Sequence, residues 1–156
     1  MSTELDIFNA VMNVLKNDPN LKAITHYYYE GRRENVPYAQ FPCLMLWIDH
    51  ISVESRRHDH ERLVMRFGVA YYISKWDATG MFTNQSTGLI RVYNLIDHAL
   101  AQAQNSNPPF GLSDRAIIVE GVGDATFPVI VDLASYPFMG VEFSFDIGYV
   151  KLNSER

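Results

Sequence analysis

Cysteine is almost absent from this chain of 156 residues: Cys43 is the only one. With a single thiol no internal disulfide can form, and a reducing cytoplasm is the expected setting. Long apolar runs are missing too. The longest, Phe41 to Ile48, is far short of the ~18 residues that a membrane helix requires, so no membrane is expected as a partner. The first residues carry no basic stretch followed by an apolar segment and a small-residue cleavage site, and no secretory leader is expected. Positive charge is in deficit: 13 Lys and Arg against 18 Asp and Glu give a net charge of −5. A polyanion would be repelled by the molecule as a whole, which argues against non-specific nucleic-acid binding.

What is abundant is apolar and aromatic. Hydrophobic residues make up 47%, with nine Tyr, nine Phe and two Trp, a content that excludes disorder and can fill a core without staples. Nothing suggests a second domain, so residues 1–156 are read as one domain, with 152–156 a frayed tail. Leu5, Phe8, Val11, Met12 and Leu15 recur at helical spacing. They predict a first helix, capped by Ser2 or Thr3 and ended at Asp18-Pro19. Residues 19–40 lose periodicity and read as a long structured connection. From Phe41 the chain is rich in strand formers. Leu63, Met65, Phe67, Val69, Tyr71 and Ile73 then alternate at period two, so the two runs predict an antiparallel hairpin. A second helix is expected through Leu89, Val92, Tyr93, Ile96, Ala99, Leu100 and Ala103, with Ser86 or Thr87 as cap. The last third again reads as strands. Its cleanest run puts Val141, Phe143, Phe145, Ile147 and Tyr149 on one face, with Glu142, Ser144, Asp146 and Gly148 on the other. The expected class is α+β: a mixed, mainly antiparallel sheet of four to five strands, two helices on one face and a long protruding hairpin.

Catalytic patterns are scarce. No nucleophile elbow surrounds Ser144, "GVGDA" lacks the ending of a phosphate loop, and Cys43 lies in apolar surroundings that raise a thiol pKa. Carboxylate pairs such as Asp132 with Glu142, or Glu142 with Asp146, read as the wet face of a strand. No catalytic residue and no cofactor is expected. His58 and His60 share one strand parity, with Asp59 beside them and His50 on the paired strand. That is short of a zinc ligand set, and arginines crowd it; no metal is expected. Arg32-Arg33 and Arg56-Arg57-Arg62-Arg66, with the aromatic "HYYY", could touch nucleic acid or equally the acidic surface of a protein.

The layout itself is informative. An amphipathic first helix, a "FPCLMLWI" strand opened by Phe41-Pro42, and a hairpin with a charged tip come first. They are followed by the helix "GLIRVYNLIDHAL" and the closing strand "YPFMGVEFSFDIGYV", with Gly140 just inside it. Over about residues 3 to 151 this order resembles the tail-terminator or tail-completion proteins of long-tailed bacteriophages and prophages. The segment 19–40 and "FPVIVDL" depart from that pattern and leave open a neighbouring neck or head-completion component, or a small binding module. The resemblance implies a structural virion protein, not an enzyme, located in the tail at the tube–neck junction after assembly in the host bacterial cytoplasm. It implies a ring, commonly a hexamer, that stops tube polymerisation and docks the neck connector. Its partners would be other copies, the tail tube protein, the neck protein and, in some tails, a sheath. DNA would pass through the channel without specific binding. The contact residues expected for copies and partners are Ser55, Arg56, Arg57, His58, Asp59, His60, Glu61 and Arg62 at the hairpin tip, with Arg32 and Arg33 as a second contact. Tyr, Trp, Met and Arg, all well represented here, are the residues that interfaces favour.

Overall fold

The structure, a computed structural model, describes residues 3–74, 80–84, 88–112, 118–122, 125–131 and 137–152. Helix α1 spans Thr3–Asn17 and buries Ile7, Val11, Met12 and Leu15. The expected stripe is therefore shifted by part of a turn. Leu5 is 55% exposed and Ile7 takes its place in the core, because two residues on a helix turn the side chain through about 200°. Thr3 is the first helical residue rather than the cap, and Ser2 lies outside the described residues. Asp18-Pro19 ends α1 as expected and also starts another helix. In α2, Pro19–Ile24, Pro19 sits in the first turn and the Asp18 carboxylate accepts from the Leu21 amide at 3.0 Å. Helix α3, Leu89–Asn105, buries Leu89, Val92, Ile96, Ala99, Leu100 and Ala103. Its cap is Gly88, not Ser86 or Thr87, which lie outside the described residues.

Among the described residues the sheet has six strands: β1 Tyr27–Glu30, β2 Cys43–Arg56, β3 His60–Ser74, β4 Ile118–Val122, β5 Thr126–Val131 and β6 Phe138–Leu152. The fold is α+β with a mixed sheet, as expected, but it has six strands in place of four to five and three helices in place of two. Both differences arise mainly in residues 19–40. There a six-residue helix is too short to show periodicity, and four consecutive strand residues are too few to show alternation.

The order is β1-β2-β3-β6-β4, with β5 also paired to β6. Among the described residues, only the β1–β2 pair is parallel. β3 matches β6 from Ser74↔Phe138 to His60↔Leu152, so β3 occupies one entire edge of β6. β4 and β5 follow one another along the other edge, beside Phe145–Gly148 and Phe138–Glu142. Leu152 pairs with His60 in this ladder, and the rest of the expected frayed tail, 153–156, lies outside the described residues.

Helices α1, α2 and α3 cover one face, packing on Leu44, Leu46, Leu63, Met65, Phe67, Val141, Phe143, Phe145 and Ile147. A smaller cluster lies on the opposite face. There Tyr29, Val36 and Phe41 meet Cys43, Met45, Ala70, Tyr72 and Phe138. The loop between β1 and β2 thus covers the upper part of that face.

Candidate assembly surface

β3 is central, paired to β2 on one side and to β6 on the other right to the tip. The hairpin is accordingly not a free finger. It is one side of a three-stranded blade whose helix-facing side is covered over β3 and β6 by α1. The Lys151 ammonium donates to the Glu4 carboxylate at 2.8 Å, fastening the first turn of α1 to the end of β6. Tyr149 is buried beside them. Burial first, then the Glu4 and Glu61 carboxylates, pushes its phenol pKa well above the ordinary value.

The tip residues are largely satisfied within the subunit. Arg57 N–H donates to the His60 carbonyl at 2.8 Å, closing the turn. Arg56 pairs with Glu61 at 3.0 Å, Arg62 with Glu54 at 3.5 Å, and His60 Nδ1 with Asp59 at 2.8 Å. The His60 hydrogen bond is the leading reason that the Asp59 carboxyl sits below its usual pKa. Glu61 is only 6% exposed, on the helix side of the blade, and so is not a contact residue. Ser55, Arg56, Arg57, His58, Asp59 and Arg62 are exposed, and His60 is half-buried. Among the described residues, no group of three or more His, Cys, Asp or Glu is arranged to hold a metal ion.

Arg32 and Arg33 are not brought to the tip. Arg32 reaches over the sheet to Glu142 at 2.8 Å, with its guanidinium 4.7 Å from the Trp47 ring centroid. Arg33 lies over the Tyr29 ring at 5.1 Å. Glu142 pairs with Ala70, ten residues along β3 from His60, which separates the two arginine groups by about 33 Å. Around Arg32, the residues Trp47, Asp49, Gly68, Glu142 and Ser144 line a small polar hollow on the helix-free face. Tyr72 Oη donates to Glu142 at 3.1 Å and Trp47 Nε1 to Asp49 at 3.0 Å. One step down, Arg66 donates twice to Asp146, at 2.8 and 3.0 Å. Those bonds are the first cause of a depressed Asp146 pKa. Glu142 and Asp146 each face an arginine, an arrangement of ion pairs rather than an acid–base couple.

The feature missed from sequence is the outer edge of β2. β1 covers it only from Cys43 to Leu46. Among the described residues no strand pairs with that edge from Trp47 to Arg56. Ile48, Ile51 and Val53 sit across from Phe67, Met65 and Leu63, hence on the helix-side face, yet they are 36%, 42% and 49% exposed. The apolar–polar alternation of "ISVES" carried the signal, but only the pairing of β1 reveals that this stretch is an edge. Two bulges, between Ile48 and His50 and between Val53 and Ser55, and the charges of Asp49, Glu54 and Arg56 blunt this edge, yet they leave its Ile and Val side chains uncovered.

In comparison with known proteins, the chain matches no family model. No curated protein matches it either.

Proposed function

We propose that this chain is a structural component of a phage-type tail: a terminator that closes into a ring, with six copies the expected number. The ring caps the tail tube, stops its growth and offers the docking surface for the neck connector. Two things support the reading. The order of elements, first helix, long hairpin, central helix and long closing strand, resembles the layout of tail terminators. The observation that carries it is the lower half of β2, where three exposed aliphatic side chains border an edge with which no strand among the described residues pairs. A subunit that acted alone would keep this edge as an aggregation site; one that lives in a ring buries it. The tip then serves as a polar contact that sets partner choice, with Arg57 and His58 at its apex. A neck or head-completion component is the second reading, favoured by β1 and β5, which add to the expected layout.

Purified protein, alone and mixed with tail tube protein, tests this by light scattering and negative-stain imaging. A closed ring is expected, and Arg57→Glu should weaken its attachment to the tube while leaving the fold intact. Arg56→Glu is unsuitable for this purpose, since it would put a carboxylate beside the buried Glu61. A protein that stays monomeric at micromolar concentration and ignores tube protein overturns the proposal. Binding to connector but not to tube selects the neck reading.

A further inference from the structure

We infer that the copies join head to tail through their helix layers: Ile48, Ile51 and Val53 of β2 seat against the outer side of α3 of the next copy, around Ile90 and Phe82. The inference deepens the ring reading above and rests on it, since it needs copies to associate. It names the surface that each copy offers.

What β2 leaves open is a face rather than a hydrogen-bonding edge. The Gly31 amide donates to the Leu46 carbonyl at 2.8 Å, so the chain leaving β1 still lines β2 down to Trp47. Below that point the strand is bulged between Ile48 and His50 and again between Val53 and Ser55, which breaks the regular ladder that a further strand would need. Ile48, Ile51 and Val53 lie on the helix side, in the rows of Phe67, Met65 and Leu63. A partner that buries them packs onto that side, beside α1, whose Phe8 stacks on Phe67 with 6.1 Å between ring centroids.

The opposite flank of the same layer belongs to α3. Tyr93 stands edge-on to Phe143 of β6 at 5.0 Å and to Phe127 of β5 at 5.8 Å, and Phe82 lies 6.5 Å from Phe127. These contacts place the helix and the turn that precedes it over the far columns of the sheet, away from β2. Ile90 is 52% and Phe82 37% exposed. With Leu95 they border a shallow hollow of about 890 Å³ on the outer side of the helix.

Two properties match the surfaces to each other. Both are apolar and open, and contiguous apolar patches on a folded chain mark its contacts. Their charges are also of opposite sign. β2 carries Asp49 at its first bulge and Glu54 at its second. Asp49 is bonded to the Trp47 indole rather than to a cation, and Glu54 shares Arg62 at 3.5 Å, while Arg56 beyond them is turned to Glu61. Arg91 and His98 are the ionisable residues that line the hollow, and neither is acidic. Complementary rims of this kind fix which way two apolar surfaces mate. Because the surfaces are unlike and lie on opposite flanks, each copy offers one of them to each neighbour. Such a contact repeats around an axis and closes into a ring, whereas two like faces would stop at a dimer.

Complementation between two variants of the full chain tests the pairing, read by analytical ultracentrifugation under the conditions in which the unaltered protein closes. Ile51→Lys spoils the β2 surface and Ile90→Lys the α3 surface. Both sites are exposed, so both variants should keep a native circular dichroism spectrum. Each alone should be monomeric. Mixed one to one, well above the concentration at which the unaltered chain assembles, they should form a dimer and nothing larger. The intact α3 surface of one then meets the intact β2 surface of the other, and only spoiled surfaces remain outside. Rings from either variant alone overturn this pairing and leave the ring reading, as does a mixture that stays monomeric while the unaltered chain makes rings. Monomers from the unaltered chain, with and without tube protein, overturn both.

Discussion

Trp47 lies flat over Gly68, its cross-strand partner, so closely that a Cβ at position 68 would overlap the indole. The glycine makes room for the ring, and the ring makes a platform for the Arg32 guanidinium. Gly68→Ala should displace the indole and release Arg32. The site is half-open and the obstacle is a side chain, so the stability cost is expected to be about 1 kcal/mol. Near-ultraviolet circular dichroism and the denaturant midpoint, read in a Trp76→Phe background, check this.

Gly140 presents the opposite case. A Cβ there would run into the Tyr71 carbonyl oxygen, a backbone atom that cannot turn aside. Gly140→Ala should therefore force β6 away from β3 and cost more than Gly68→Ala, about 1–3 kcal/mol or above. Urea unfolding of the two variants side by side gives the comparison.

The Asp146 carboxyl titrates below its usual value in the folded chain because Arg66 holds it ionised. A folded-state pKa below the unfolded one contributes stability that is complete above the unfolded value and disappears as pH falls through the folded value. Asp146→Asn should accordingly lower the melting temperature at about pH 6. It should make progressively less difference as pH falls through the acid range to about pH 2. A constant difference in melting temperature across that range would contradict the assignment.

Cys43 is fully buried, and burial pushes its thiol pKa up to about 12. It should not react with a disulfide reagent at neutral pH while the chain is folded, and should react at once in denaturant.

The sequence revealed the long elements because each repeats its apolar period several times. Val141, Phe143, Phe145, Ile147 and Tyr149 declare β6, and Leu89 through Ala103 declare α3. Short elements could not do so. Tyr27–Glu30 pairs parallel to β2, and nothing local marks four residues as a parallel strand. Asp18-Pro19 is a start signal as well as a stop, since the Asp18 carboxylate caps α2 and Pro19 opens it. At the surface, charge drew attention to the tip, where partners within the subunit already answer most of the charges. The uncovered aliphatics of β2 were visible as letters, but their exposure depends on where β1 ends, a tertiary fact.

The placement of β1 gives each molecule a direction. It shuts the upper part of one flank and leaves the lower part unpaired among the described residues, so the two ends of that flank differ. Any closed circle of such molecules set with a common sense has two dissimilar rims, with all the hairpin turns on one of them. An object of that kind can join two structures that do not resemble each other.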